Sequence, residues 1–187
     1  MTRRVAALVV IAAAVVGAAG LRAQRGAPPA PAGPVIVLDT EKGSIEFETF
    51  PADAPKSVEH VLALVRKDFY RGLRFHRVTP LLVQVGDPQS RNMSLIQSWG
   101  NGGSGSAIGV AELSKKHLHV RGAVAMATGG GPADADSQFY IMKAANSSLD
   151  GKYTVIGQVT KGMDVVDKIE MTDILKMAYV KGEGPKK

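Results

Sequence analysis

Apolar residues in this chain recur two apart in a succession of short runs, and only two stretches recur at helical spacing. Residues two apart on a strand share a face, so each such run reads as a half-buried strand. Val35–Thr40 and Gly43–Thr49 form an expected hairpin turning at Glu41-Lys42-Gly43, with Ile45 and Phe47 inward. Residues 75–85 read as one strand bent at Pro80, residues 122–127, 137–142 and 153–159 as further strands, and Ile174–Val180 as a closing strand. The first helical stretch carries Val58, Val61, Leu62 and Val65, with Asp53 as N-cap and Pro55 in the first turn, and ends near Asp68. Met163, Val166 and Ile169 mark the second. Short strands in series with two helices imply a mainly β fold whose antiparallel sheet removes its edges by closing into a barrel. Residues 90–116, rich in Gly, Ser and Asn, wrap the outside, and the glycines of 100–105 read as a flexible loop.

The start of the chain is of a different kind. Thr2-Arg3-Arg4 supplies positive charge, residues 5–20 are small or aliphatic, and Leu21-Arg22-Ala23 offers small residues at a cleavage point. Residues 1–23 therefore read as a signal peptide. The alternative is a retained membrane anchor, against which stands an apolar run shorter than the ~20 residues a span needs. Residues 24–34 form a Pro/Ala-rich linker, and the folded domain is expected over 35–187. The mature protein would be exported, periplasmic or secreted, and would meet the membrane only transiently. No cysteine is present to form a disulfide or carry a lipid. Loss of residues 1–23 leaves 20 basic against 17 acidic residues, a balance too even to suggest nucleic-acid binding.

Two runs carry the chemistry. The first is Phe75-His76-Arg77 leading on to Gln84-Val85-Gly86-Asp87-Pro88, and the second is Ser137-Gln138-Phe139-Tyr140-Ile141. Leu82 and Gln84 share one strand face, as do Gln138 and Tyr140. If these faces adjoin, one surface holds the Arg77 guanidinium, two carboxamides and an apolar wall, with no cluster of acids or thiols. Such a surface grips an extended peptide and is poorly equipped to cut it. By residue type alone, Arg77 is equally an exposed arginine on an edge strand, and either glutamine a carboxamide satisfying nearby backbone. His117 and His119 would share a strand face, but no third ligand lies near in sequence, so no metal site is expected. His60 and His76 read as packed, hydrogen-bonded histidines. Ser104 and Ser106 lack the nucleophile-elbow pattern.

Phe75-His76-Arg77-Val78-Thr79-Pro80, Gln84, Gly86-Asp87-Pro88, Val124-Ala125-Met126-Ala127, Ser137 to Ile141 and the run from Leu149-Asp150-Gly151 through Gly157 together resemble the cyclophilin peptidyl-prolyl cis-trans isomerases, most closely their divergent bacterial members. The resemblance covers about Val35 to the C-terminus. It implies a closed eight-stranded antiparallel β-barrel capped by two α-helices, with a groove on the outer surface. It further implies a cofactor-free monomer that acts on proline-containing polypeptide clients. Arg77, Gln84 and Gln138 would be the catalytic residues. Leu81, Leu82, Met126, Ala127, Thr128, Tyr140, Leu149 and Tyr153 would bind substrate.

The sequence departs from the family pattern around the pocket. One residue is missing after Pro80, so Leu81 or Leu82 stands where an aromatic ring usually forms part of the floor. Tyr140 replaces a usual Phe, Tyr153 a common His, Thr128 a common Asn, and Ser148 the tryptophan that contacts cyclosporin in animal members. The rival expectation is therefore a cyclophilin-fold peptide binder or holdase with little turnover.

Overall fold

The expected hairpin and helices form with small shifts at their ends. The computed structural model describes residues 33–184, so the signal peptide of 1–23 and most of the 24–34 linker lie outside the described residues. Strand β1 (Val35–Thr40) pairs antiparallel with β2 (Gly43–Thr49), Leu38 opposite Ile45. Helix α1 (Pro55–Arg66) follows, burying Val58, Val61, Leu62 and Val65. Strands β3 (Leu73–Arg74), β4 (Arg77–Val78), β5 (Leu82–Val85), β6 (Ala123–Met126), β7 (Phe139–Met142) and β8 (Val155–Lys161) come next, then α2 (Met163–Lys168) and β9 (Ile174–Val180). Among the described residues no helix is long and apolar enough to cross a membrane.

The curled sheet runs β3-β9-β1-β2-β8-β6-β7-β5-β4, nine strands with antiparallel pairing throughout. Its two end strands are joined by only Phe75 and His76. Residues 73–78 thus pair with β9 on one side and, after a two-residue bend, with β5 on the other. Counted as one bent strand, they reduce nine strands to the expected eight and bring the sheet's ends together. The stretch expected as a single bent strand over 75–85 is instead a hairpin. Thr79-Pro80-Leu81 turns it, with the Thr79 backbone N–H donating to the Leu82 carbonyl at 2.9 Å.

Inward side chains form the larger core: Ile36, Leu38, Ile45, Phe47, Val83, Val124, Met126, Phe139, Ile141 and Ile156 meet the buried faces of α1 and Val166 of α2. Outward, a second, smaller cluster gathers Leu82, Ala123, Ala125, Tyr140, Met142 and Val155. An apolar patch on the outside of a barrel is the feature that a solvent-facing sheet does not need.

The N-cap differs from expectation. The Asp53 carboxylate turns away to Lys116 and His117, and Ala54 stands at the cap with no side-chain hydrogen bond of its own. Glu112, from the long connection, supplies what the helix lacks. Its carboxylate accepts from the Lys56 N–H at 2.9 Å, the Ser57 N–H at 2.8 Å and the Ser57 hydroxyl at 2.7 Å. An anion there also meets the positive end of the helix dipole. Glu112→Ala is expected to lower stability by about 1–2 kcal/mol, as loss of a good cap does. A thermal melt of the folded variant within experimental error of wild type would show that the cap carries no weight.

Candidate active site

One row of directly opposed residues crosses the outer face of the barrel. Arg77 of β4 lies opposite Gln84 of β5, Gln84 opposite Tyr140 of β7, Tyr140 opposite Ala125 of β6, and Ala125 opposite Val155 of β8. Opposed residues in antiparallel strands project to the same side. The two sequence runs therefore do adjoin, and they adjoin along a line from a cation, through a carboxamide, to an aromatic ring.

Side chains tie that line together. Arg77 Nη1 donates to Gln84 Oε1 at 3.3 Å, and Gln84 Nε2 donates to Gln138 Oε1 at 2.9 Å. Gln138 Nε2 in turn donates to the carbonyls of Gly100 and Gly102 at 2.8 and 2.7 Å. Every amide orientation follows from the next, so the guanidinium is placed by a chain that ends on backbone. The loop that receives it is clamped from its other side. Buried Asp87 accepts from the Gly100 and Gly102 N–H groups at 2.5 and 3.2 Å. Gly100 and Gly102 are thus held on both sides, which the glycine-rich composition of 100–105 does not suggest. A Cβ at Gly102 would stand 2.2 Å from Asp87 Oδ1, so glycine is required for close approach.

The groove beside this network has a volume of ≈ 770 Å³. Arg77, Gln84, Gln138, Leu81, Leu82, Ala127, Thr128, Tyr140, Leu149 and Tyr153 all line it. Leu82 rather than Leu81 lies in its floor, since Leu82 is buried in the outer cluster while Leu81 is 42% exposed at the rim. Met126 departs from the expectation. It is buried in the barrel interior, because a strand that turns Ala125 outward sends its neighbour inward. Sequence reasoning missed Thr79, Gly100 to Gly103, Asp136 and Asn146, which also line the groove. Of these, Gly100 to Gly103 belong to the long connection, which gave no periodic signal to place them. Ser148, exposed in a short turn, donates its N–H to Asn146 Oδ1 at 3.1 Å and does not replace the missing aromatic contact.

The four histidines take separate places. His60 lies 3.3 Å from Asp136. His117 stacks on Phe50 at 3.9 Å with Nε2 2.9 Å from Asp53. His119 points instead beneath Tyr140, so the pair does not share a face; residues 117–119 are not a strand. Burial holds the His76 imidazole below its ordinary value, keeping it neutral behind the site. Burial likewise pushes the Tyr140 phenol up, with Tyr153 adding to the shift and Arg77 opposing it. Among the described residues no group of three or more His, Cys, Asp or Glu is placed to hold a metal ion.

Comparison with known proteins agrees with this geometry. The family model for cyclophilin type peptidyl-prolyl cis-trans isomerases matches residues 35–183. A Brucella abortus (strain 2308) protein named "Probable peptidyl-prolyl cis-trans isomerase" is 42% identical over 139 residues, covering 72% of this chain and 70% of the relative. Peptidyl-prolyl cis-trans isomerase 10 of Caenorhabditis elegans is 38% identical over 136 residues, covering 72% and 81%. In fold, the chain is similar to the crystal structure of a Cryptosporidium parvum cyclophilin type isomerase, with a TM-score of 0.70 at 24% identity, covering 81% of this chain and 99% of that one. A second structure of that protein, in the presence of the dipeptide Ala-Pro, gives a TM-score of 0.69 at 24% identity over 79% and 99% of the two chains. With its barrel, its matched residues and its relatives, the chain belongs to the cyclophilin-type peptidyl-prolyl cis-trans isomerases, and rotation of X-Pro bonds is its activity.

Proposed function

We propose that the groove floored by Leu82 and Tyr140 receives the prolyl ring of an unfolded or flexible client, while Arg77 stabilises the twisted bond. Amide resonance sets a rotation barrier of ~18–20 kcal/mol. Twisting localises the lone pair on the prolyl nitrogen, which then accepts a hydrogen bond that the planar amide accepts poorly. A guanidinium aimed at that nitrogen favours the twisted state over both planar ones, which is what lowers a barrier. Arginine stays charged throughout, and no proton changes hands. Gln84 and Gln138 act by fixing the plane of the fork. Leu81, Ala127, Thr128, Leu149 and Tyr153 close the groove around the peptide. The Arg77–Gln84–Gln138 chain at 3.3 and 2.9 Å is the observation that carries this reading, because a mere peptide binder has no need to orient the cation. Acceleration of cis–trans exchange in a short X-Pro peptide, followed by NMR, tests it.

We also propose that residues 1–23 direct export and are removed, so that the isomerase serves clients outside the cytoplasm. Support comes from the basic start, the apolar run and the small residues at Ala23. Mass spectrometry of the protein from its native host should find a mature N-terminus at Gln24. An intact Met1 to Ala23 segment recovered with membranes would refute cleavage and favour an anchor.

A further inference from the structure

We infer that His119 is a positioning residue for the proline pocket: it holds the Tyr140 ring and the loop of residues 146–153 in the arrangement that receives the prolyl ring. The inference rests on the reading of the groove given above. His119 has a fully buried side chain and does not line the groove, yet it touches the parts that do. Its Nε2 lies 2.9 Å from the Tyr140 hydroxyl. Its Nδ1 lies 3.0 Å from Asp150 Oδ1, which also accepts the His119 backbone N–H at 2.7 Å. The His119 carbonyl accepts from the Asn146 N–H at 2.9 Å, and its ring meets Tyr153 edge-on at 6.3 Å. One buried residue thus binds both ends and the middle of the loop that contributes Asn146, Leu149 and Tyr153 to the groove.

The partners fix the direction of each bond. A carboxylate only accepts, so Nδ1 carries the proton and Nε2 offers its lone pair to the Tyr140 O–H. The bonds from His119 hold the Asp150 carboxyl below its usual range, which keeps that acceptor ionised. Tyr140 is 4% exposed, so its hydroxyl needs an acceptor beneath the floor. Without His119 the hydroxyl seeks water, and the accessible water is in the groove. The ring would then tip towards the space that the prolyl ring occupies. Tyrosine at this position is therefore compatible with an apolar pocket only while an acceptor stands behind it.

The test measures peptide Kd and the exchange rate of the bound X-Pro bond by NMR, on the folded protein and its variants. Floor geometry serves planar and twisted peptide alike, so the loss falls on binding. His119→Ala is expected to weaken Kd about tenfold, the effect of stranding one buried hydroxyl, with the bound-state exchange rate changed less than about threefold. His119→Gln, which can still accept from Tyr140, should recover most of the binding. Tyr140→Phe removes the hydroxyl that needs His119, so the double variant should bind within about threefold of Tyr140→Phe alone. Should His119→Ala not fold, the other two comparisons decide. A His119→Ala protein with Kd within twofold of wild type would overturn the inference. His119→Ala keeps the backbone bonds that tie His119 to Asp150 and Asn146, so the loop stays held, and a loss that persists undiminished in the Tyr140→Phe background would also overturn the inference. A wild-type protein that leaves exchange unaccelerated would overturn the groove reading itself and this inference with it.

Discussion

Arg77→Ala is expected to lower the rate of X-Pro exchange by about 10²–10³, the loss of one preorganised donor of ~2.7–4 kcal/mol, while the protein remains folded. The side chain is exposed, and the β4–β5 pairing it sits on is made by backbone, so truncation leaves no cavity. Arg77→Lys should recover little. An ammonium is a point charge on a flexible stem and cannot hold Gln84 while also presenting a fork to the prolyl nitrogen. Gln84→Ala and Gln138→Ala should lose less than Arg77→Ala, because each leaves the cation present and frees only its orientation. Equal melting curves are required for these comparisons. A folded Arg77→Ala protein that keeps the wild-type exchange rate would remove the proposed mechanism, and with it the roles of both glutamines.

Gly86→Ala should be among the most damaging single changes to stability. Gly86 has φ +119°, a backbone conformation that side chains rarely adopt, and an added Cβ would meet the Ser137 carbonyl oxygen at 2.3 Å and Gln138 Cα at 2.6 Å. Strain of this kind costs ~1–3 kcal/mol, and forced overpacking a further ~1–3 kcal/mol. The expected fall in melting temperature is about 4–24 °C, taking ~2–4 °C per kcal/mol for a domain of this size. The same shift would move Gln138 and weaken exchange. The Ser137 hydroxyl, which donates to the Gly86 carbonyl at 2.8 Å, shows how closely these strands approach. A Gly86→Ala protein that melts with wild type would mean that the approach of Gly86 to Ser137 and Gln138, beyond the paired ends of β5 and β7, is looser than described.

The sequence showed most of the strands because their apolar residues alternate, and showed the line from Arg77 through Gln84 to Tyr140 because its residues sit in matched runs. Gln84 and Gln138 could be placed on faces before their strands were paired. What stayed hidden depends on non-local partners. Closure of the barrel relies on residues 73–78 serving two neighbours, which no periodicity records. Resemblance places Met126 in the groove, although strand alternation with Ala125 and Ala127 sends it inside. Asp53 has the right chemistry for a cap, and loses the position to Glu112, which arrives from 55 residues away to meet Ser57. The spacing of His117 and His119 says nothing of where His119 points, because its partners, Tyr140 and Asp150, lie in other runs. The Gly100 to Gly102 loop looked flexible for the same reason, since the Asp87 and Gln138 that clamp it are remote in sequence.

The most direct test is two-dimensional NMR exchange on an Ala-Pro-containing peptide at substoichiometric protein, with chemical-shift mapping of the protein in the same sample. The account predicts exchange cross-peaks between cis and trans peptide that are absent without protein, together with shifts at Arg77, Gln84, Gln138 and Tyr140. Shifts at those residues with no exchange cross-peaks would mean that the groove binds peptide without turning it over, and would contradict the account.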